Sequence, residues 1–293
     1  MTSPRVAIAF AGFLLLHPVP TSAQISITDD MHRKINLPKP AQRIVSLAPS
    51  ITESLFAIGA GEQVVGVTDY CTYPPAARRK PRVGGMINPS IETVVNLVPD
   101  LIILSMEGNV RQDFFRLTSL GVPVFVTNPR SIEGIYQSLR TLATLTGRVD
   151  SAEQVIAALR RREDAVHARI QGATPVRTLL FVSLQPLMCA GSGTFLNELL
   201  HEAGAANLAE RTSGTYPSYS RERVIANDPD VILLTSDLLV DPAVLTTYFP
   251  EWQVLTSVRH HRIYRVDADM ISRPGPRAID ALESLFYLFH SNP

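Results

Sequence analysis

Two stretches of the chain have nearly the same pattern: SIETVVNLVPDLIILS at residues 90–105 and SRERVIANDPDVILLT at residues 220–235. Each begins with a serine that can cap a helix, carries a glutamate in the first helical turn, and breaks at Pro-Asp before an apolar run. A continuous apolar run is typical of a strand covered on both faces, as in a parallel sheet flanked by helices. The repeat therefore predicts an α/β fold with two similar lobes, each built on a parallel-type sheet.

A looser repeat stands upstream of each stretch. Residues 43–47, RIVSL, resemble residues 177–184, RTLLFVSL, and both are followed by a polar turn and a helix. These helices end before Gly59 and Gly204, a position where glycine is favoured because it adopts the left-handed backbone conformation without strain. The two halves of the chain thus have the same order of predicted elements.

The segment between the two halves is predicted to be helical. Residues 131–147 and 150–172 are rich in Leu, Ala, Glu and Arg, and the second range has an apolar face opposite a charged one. Because a flexible Gly/Ser linker is missing here, this second helix predicts a stiff connector. The predicted division is a signal peptide at residues 1–23, an N-terminal lobe at 24–147, a connecting helix at 148–173 and a C-terminal lobe at 174–293.

The first residues have the layout of a secretory signal peptide. Arg5 precedes an apolar run at residues 6–16, and a polar stretch then leads to the small residue Ala23. The run is shorter than the ~20 residues that a membrane-spanning helix needs. Gln24 stands where a lipoprotein would have its cysteine, so we expect cleavage after Ala23 and a soluble periplasmic monomer. The alternative, an apolar N-terminal core helix, lacks an amphipathic period.

The balanced charge of the chain argues against nucleic acid or an anionic membrane as its partner. Lys+Arg and Asp+Glu each number 27, and the formal net charge is +0. A chain without excess positive charge is a poor partner for nucleic acid or an anionic membrane. Cys71 and Cys189 could pair in an oxidising compartment, but they lie far apart in sequence, and free thiols are the favoured alternative.

Catalytic motifs in the sequence are incomplete. The Gly-x-Gly pairs at residues 59–61 and 191–193 lack the rest of a nucleotide-binding pattern, and the chain has no G-x-S-x-G elbow. The histidines have no recognised metal-ligand spacing, and His260 and His261 would face opposite sides of a strand. We therefore predict no enzyme, no metal site and no cofactor, with a periplasmic enzyme using Cys71 or Cys189 as the alternative.

Tyrosines and methionines stand on loops beside predicted strands. Tyr70 and Met188 follow strands, whereas Met86 and Tyr216 precede the two helices that carry the repeated glutamate. Ligands of open α/β sheets bind outside the carboxyl ends of the strands, which is where these loops lie. The alternative is that the aromatic rings only pack the loops onto the sheets.

The chain resembles the periplasmic cobalamin-binding proteins and, more widely, the ABC-importer receptors for cobalamin, ferric siderophores and haem. The resemblance runs from about residue 43 to residue 288. It is carried by RIVSLAPSITE at residues 43–53, YPP at 73–75, the two Glu-to-Pro-Asp stretches quoted above, and Pro276-Arg277. It implies the class III periplasmic binding protein fold, in which one long helix bridges two lobes.

The resemblance also implies roles for individual residues. Glu92 and Glu222 match glutamates at the lobe tips that dock onto arginines of a two-fold ABC permease dimer, which works with a cytoplasmic ATPase. Each glutamate could alternatively complement a helix N-terminus. Tyr70 matches a cobalamin-contacting tyrosine. The full set of predicted ligand-binding residues is Tyr70, Met86, Met188, Tyr216, Asp269, Met270, Ile271, Ser272 and Arg273.

The expected ligand is cobalamin or a related corrinoid. The resemblance places larger aromatic rings at the positions of Met86, Met188 and Tyr216. These smaller or more flexible side chains can still pack against the large apolar face of a corrin. A ferric-siderophore or haem receptor of the same superfamily is the alternative, and Arg82, Arg211 and Arg273 are the cations that favour it.

Overall fold

Two sheets of mainly parallel strands organise the computed structural model, which describes residues 24–290. The signal peptide expected at residues 1–23 lies outside the described residues. Between residues 24 and 290, no helix has the length and apolar character needed to cross a membrane.

The first sheet has the strand order β4-β3-β5-β6, and all its strands are parallel. A short antiparallel hairpin of β1 and β2 precedes it. The elements of this half are β1 (Ile25–Thr28), β2 (Lys34–Leu37), β3 (Ile44–Ser46), α1 (Pro49–Ala57), β4 (Val64–Val67), α2 (Ile91–Asn96), β5 (Leu101–Ser105), α3 (Arg111–Thr118), β6 (Val124–Thr127) and α4 (Ile132–Thr146).

The second sheet has the order β11-β10-β7-β8, with β9 also pairing with β7. Only the β7–β8 pair is antiparallel. The elements here are β7 (Val176–Leu184), β8 (Leu187–Cys189), α6 (Phe195–Glu202), β9 (Ala205–Asn207), α7 (Arg221–Asn227), β10 (Val231–Thr235), α8 (Leu245–Tyr248), α9 (Thr256–Arg259), β11 (Ile263–Val266), α10 (Ala268–Ile271) and α11 (Ala278–His290). The 22-residue helix α5 (Val149–Ile170) joins the two sheets.

The repeated stretches form equivalent elements in the two sheets. Ser90 caps α2 by accepting from the Thr93 N–H, and Ser220 caps α7 by accepting from the Arg223 N–H. The apolar runs form β5 and β10, whose residues are buried except at the end of β5. The predicted α/β class with two similar sheets is therefore confirmed.

Within each half, the same set of hydrogen bonds joins an Arg residue near the start of a strand to the Pro-Asp break and to the end of the helix before that break. The carboxylate of Asp100 accepts from the backbone N–H of Arg43, whose guanidinium donates to carbonyls at the end of α2. Asp230 accepts from the Arg177 N–H in the same way, and Arg177 donates to carbonyls at the end of α7. The Pro-Asp break thus fixes where a helix ends and where the neighbouring strand begins.

Helix α5 packs against α4 and α11. Its apolar face is buried, while Arg162 at the edge of that face donates to Asp280 and Glu283 on α11 at 2.6–2.9 Å. A 22-residue helix with these contacts can act as the stiff connector that the sequence predicts. We keep the lobe boundaries at residues 147 and 174 as a proposal.

Both cysteines are free and buried, so the disulfide alternative is wrong. Cys71 lies in a large hydrophobic core to which both lobes contribute, and its sulfur contacts the hydroxyls of Thr52 and Thr68 at 3.1 and 3.2 Å. Cys189 lies in a separate core of the C-terminal lobe, where burial raises the pKa of its thiol. A catalytic thiolate needs access to its substrate and a lowered pKa. The burial of Cys189 opposes both.

Candidate ligand-binding cleft

A cavity of about 640 Å³ opens between the two lobes. Every strand of the first sheet contributes the segment at its carboxyl end. The wall includes Ala48 after β3, Tyr70 after β4, Glu107 after β5 and Asn128 after β6. The C-terminal lobe closes the other side with loops around residues 193–194, 215–216 and 269–274. The position outside the carboxyl ends of parallel strands is the one expected for a ligand of such sheets.

Six of the predicted ligand-binding residues are brought together in this cavity. They are Tyr70, Met86, Tyr216, Asp269, Ser272 and Arg273. Tyr70 and Tyr216 are 58% and 43% exposed, so neither ring merely packs its loop onto the sheet. Partial burial raises the pKa of Tyr216, and the charge of Glu107 from the other lobe adds to this effect.

The other three predicted residues do not line this cavity. Met188 lies in a neighbouring pocket of about 330 Å³, which shares Tyr216 and Ser272 with the main cavity. Ile271 is 1% exposed in the hydrophobic core, and Met270 packs against the same core. The expectation of a continuous lining segment at residues 269–273 fails because the short helix α10 directs successive side chains to different faces.

Two local contacts hold the cavity loops in place. Asn109 donates to the carbonyls of Leu47 and Met86 at 3.0 and 2.7 Å, which ties the Met86 loop to the end of β3. In the other lobe, a Cβ at Gly191 would lie 2.6 Å from the carbonyl oxygen of Gly214. Only glycine permits this close approach, which positions the loop that carries Tyr216.

The charged groups of the cavity wall are paired. Glu107 contacts Arg130 at 3.2 Å on the N-terminal side, and Asp269 contacts Arg273 at 2.5 Å on the C-terminal side. The two acids and two bases balance within the lining residues that the structure describes. The cavity therefore presents polar groups without a net charge.

Below this wall, the buried carboxylate of Glu53 joins the two lobes. Glu53 lies on α1 and accepts from Arg273 at 3.2 Å and from Arg277 at 2.7 and 2.8 Å. The guanidinium of Arg277 also lies 4.4 Å from the ring centre of Tyr73, and its hydrogen bond to Glu53 raises its pKa. We call Glu53, Arg273 and Arg277 the interlobe ion cluster.

Sequence reasoning missed the roles of Glu53, Glu107 and Arg130. Glu53 stands in the RIVSLAPSITE motif, which indicates the family but does not indicate the contact of Glu53 with Arg273 and Arg277. Two of the cations expected to favour an anionic ligand are elsewhere, since Arg82 donates to the carbonyls of Thr68 and Cys71 and Arg211 is exposed outside the cavity. That part of the expectation is wrong, because Arg273 is the one of these three arginines that lines the cavity.

The predicted docking residues Glu92 and Glu222 lie outside the cavity, exposed in the first turns of α2 and α7. The pKa of Glu222 is lowered by its own backbone N–H and by the Ser220 hydroxyl. Glu222 therefore does complement its helix N-terminus, while its exposure also leaves it accessible to a partner.

A family model described as periplasmic binding protein matches residues 44–270, most of the chain. The chain belongs to the periplasmic binding protein family. Members are transport binding proteins, so the resemblance and the expectation that this protein is not an enzyme are confirmed.

Solved structures and sequence relatives agree on the fold of this family member. It superposes on the periplasmic vitamin B12-binding protein BtuF of Vibrio cholerae with a TM-score of 0.76 at 27% identity, covering 85% of this chain and 97% of that one. The periplasmic heme-binding protein RhuT from Roseiflexus sp. RS-1 gives 0.76 at 28%, covering 85% and 98%. The uncharacterized ABC transporter substrate-binding lipoprotein YvrC of Bacillus subtilis is 29% identical over 269 residues, covering 89% of this chain and 84% of that one. The class III fold is confirmed, and the chain is a substrate-binding protein of an ABC importer.

Proposed function

We propose that this protein captures cobalamin or a related corrinoid between its lobes and delivers it to an ABC permease dimer in the inner membrane. The observation that carries the proposal is the paired charge of the cavity wall. The named relatives include binders of vitamin B12 and of heme at similar identity, so the choice between ligands rests on the chemistry of the cavity.

The periphery of a corrin differs in charge from that of a haem. Corrin side chains end in neutral amides, which donate and accept hydrogen bonds, whereas haem carries two carboxylates. In this cavity Arg130 and Arg273 already contact Glu107 and Asp269, so an added carboxylate would meet partly neutralised cations and nearby acids. Neutral amides can bond to these groups and to Ser50 and Asn128 without displacing an ion pair.

The apolar part of the cavity suits a large flat ligand. Tyr70 and Met86 stand on one lobe and Tyr216 on the other, so aromatic and thioether groups can contact a macrocycle from both sides. A cavity of about 640 Å³ lies within the usual range for small-molecule sites. A haem receptor is the second candidate, because the same exposed tyrosines could supply an iron ligand.

Delivery in this proposal uses Glu92 and Glu222 as the docking pair. Their equivalent positions on the two lobes suit a two-fold symmetric partner, and charge-assisted bonds to arginine would fix the orientation. We also propose export by a signal peptide cleaved after Ala23, giving a periplasmic monomer. Neither nucleic acid nor a cofactor enters the mechanism.

Titration of the tag-free mature protein with cobalamin, haem and a ferric siderophore tests the ligand. We expect one saturable cobalamin site with a Kd in the micromolar range or tighter, and at least about tenfold weaker binding of haem and of an anionic ferric catecholate siderophore, because both arginines among the described lining residues are paired with acids. Calorimetry should follow the binding, since Trp252 is 0% exposed between Phe181 and Phe249 and is a poor fluorescence reporter. Tighter binding of haem than of cobalamin would overturn the corrinoid assignment while leaving the transport class intact.

Two substitutions of Tyr70 separate the two candidate ligands. We expect Tyr70→Ala to weaken cobalamin binding about 10- to 100-fold, because a buried aromatic contact is worth roughly 1.5–3 kcal/mol. Tyr70→Phe keeps the ring and should bind cobalamin within about threefold of the unchanged protein. If the phenol instead ligates haem iron, Tyr70→Phe should lose haem affinity as strongly as Tyr70→Ala does. Calorimetry on both variants with both ligands gives the answer.

A further inference from the structure

Three metal-ligating side chains come together on the helices around α5, outside the ligand cleft. Glu163 and His167 lie on α5, and Glu202 is the last residue of α6. One ligand atom from each of the three lies within 4.8 Å of the others. None of these residues lines the cavity described above, so the cluster belongs to a separate site.

The helices position this cluster directly. Glu163 and His167 are four residues apart, so they lie on the same face of α5 about one turn from each other. Glu202 reaches them from α6, and the hydroxyl of Tyr136 on α4 donates to Glu163 at 2.8 Å. Side chains from three helices therefore meet at this point.

The contact between His167 and Glu202 is unusual. The Nε2 atom of His167 lies 2.6 Å from a carboxylate oxygen of Glu202. That nitrogen is itself buried, and within residues 24–290 it makes no hydrogen bond of acceptable geometry. A ring nitrogen that faces a carboxylate without an aligned proton between them is electrostatically unfavourable, whereas a cation coordinated by both removes the conflict.

We propose that Glu163, His167 and Glu202 bind a divalent transition-metal cation, for which Zn²⁺ is the best match. One imidazole and two carboxylates are ligands that zinc accepts at about 2.0–2.2 Å, and tetrahedral geometry then places ligand atoms about 3.4 Å apart. The side chains are partly exposed, so they can make this small adjustment and leave a fourth position to water. The cation would clamp the connecting helix α5 to α6 of the C-terminal lobe.

A simple ion pair between a protonated His167 and Glu202 is the competing explanation. It requires neither Glu163 nor a metal, and this difference can be tested. The helix that carries Glu202 offers a matched control, because His201 on α6 contacts Glu210 at 3.1 Å without belonging to the three-residue group.

Calorimetric titration of the tag-free, chelator-treated protein with ZnCl₂, together with thermal unfolding in Zn²⁺ or in chelator, tests the site. We expect one Zn²⁺ per chain and a rise in Tm of about 5–10 °C at a hundredfold excess of Zn²⁺ over Kd. His167→Ala and Glu163→Gln should each weaken binding at least about tenfold and remove the rise in Tm. His201→Ala should retain both, and circular dichroism in chelator checks that every variant folds.

Three outcomes would overturn the site. The first is the absence of saturable Zn²⁺ binding to the unchanged protein at micromolar concentrations. The second is an unchanged Zn²⁺ affinity in Glu163→Gln, because the proposed site needs the Glu163 carboxylate. The third is loss of binding in His201→Ala with retention in His167→Ala.

Discussion

Reversing the charge of both docking glutamates, Glu92→Arg with Glu222→Arg, is expected to abolish ligand uptake while leaving ligand affinity within about twofold. The two side chains are exposed in the first turns of α2 and α7 and do not line the cavity. Arginines at these positions would face the arginines proposed on the permease, and like charges at a docking surface cost several kcal/mol. Each single reversal should give an intermediate uptake rate.

Uptake of labelled cobalamin by cells or proteoliposomes that contain the matching permease measures the first quantity, and calorimetry measures the second. Glu62→Arg is a matched control, because Glu62 is also an exposed acid in the first turn of a short helical segment. The helix N-termini should lose only about 0.3–1 kcal/mol in stability. A fall in ligand affinity in the double variant, or equal loss of uptake in the control, would refute the docking role.

Removing the acid of the interlobe ion cluster, Glu53→Ala, is expected to lower the free energy of unfolding by about 3 kcal/mol. Glu53 is buried and accepts three hydrogen bonds from Arg273 and Arg277, whose charges would stay partly buried without a partner. Breaking a buried pair costs roughly 3–5 kcal/mol, and the lower end applies because both arginines retain some contact with water. Ligand affinity should fall as well, since Arg273 forms part of the cavity wall.

Urea unfolding and ligand calorimetry on the same variant measure these two effects. Glu107→Ala is the comparison for stability, because the Glu107–Arg130 pair is about half exposed and should contribute less than about 1 kcal/mol. Glu53→Gln keeps the size and one oxygen acceptor, so its loss should be intermediate. Equal losses of stability in Glu53→Ala and Glu107→Ala would show that the cluster does not hold the lobes together.

Most of the fold could be predicted because its signals are local. The serine caps, the Pro-Asp breaks and the apolar runs at residues 101–105 and 231–235 each act through neighbours in sequence. The hydrogen bond between Arg43 and Asp100 also has a signal in the sequence, because the second half repeats the same two residue types as Arg177 and Asp230.

The candidate site was predicted less completely. The structure brings Tyr70, Met86 and Tyr216 into one cavity, since parallel strands bring their carboxyl ends to one edge of a sheet, and their contacts with a ligand stay a prediction. Met270 and Ile271 are assigned to the cavity by the resemblance, which predicts ligand contacts for the whole loop at residues 269–273. Three of these residues lie in the single helical turn α10 and Ser272 follows it, and that turn places Ile271 in the core.

The sequence by itself determined the class of the protein: two α/β lobes, a long connecting helix and a transport binding protein in place of an enzyme. The lobes and the helix depend on periodicity and caps, and the transport class depends on the family resemblance carried by short motifs. All of these are properties of short segments. Only the tertiary structure decided which charges meet. Glu53 contacts Arg273 and Arg277 across the two lobes, Glu107 balances Arg130, and Glu163 meets Glu202. Such pairs join residues far apart in the chain, and their energies depend on distance and burial that only the packed lobes define.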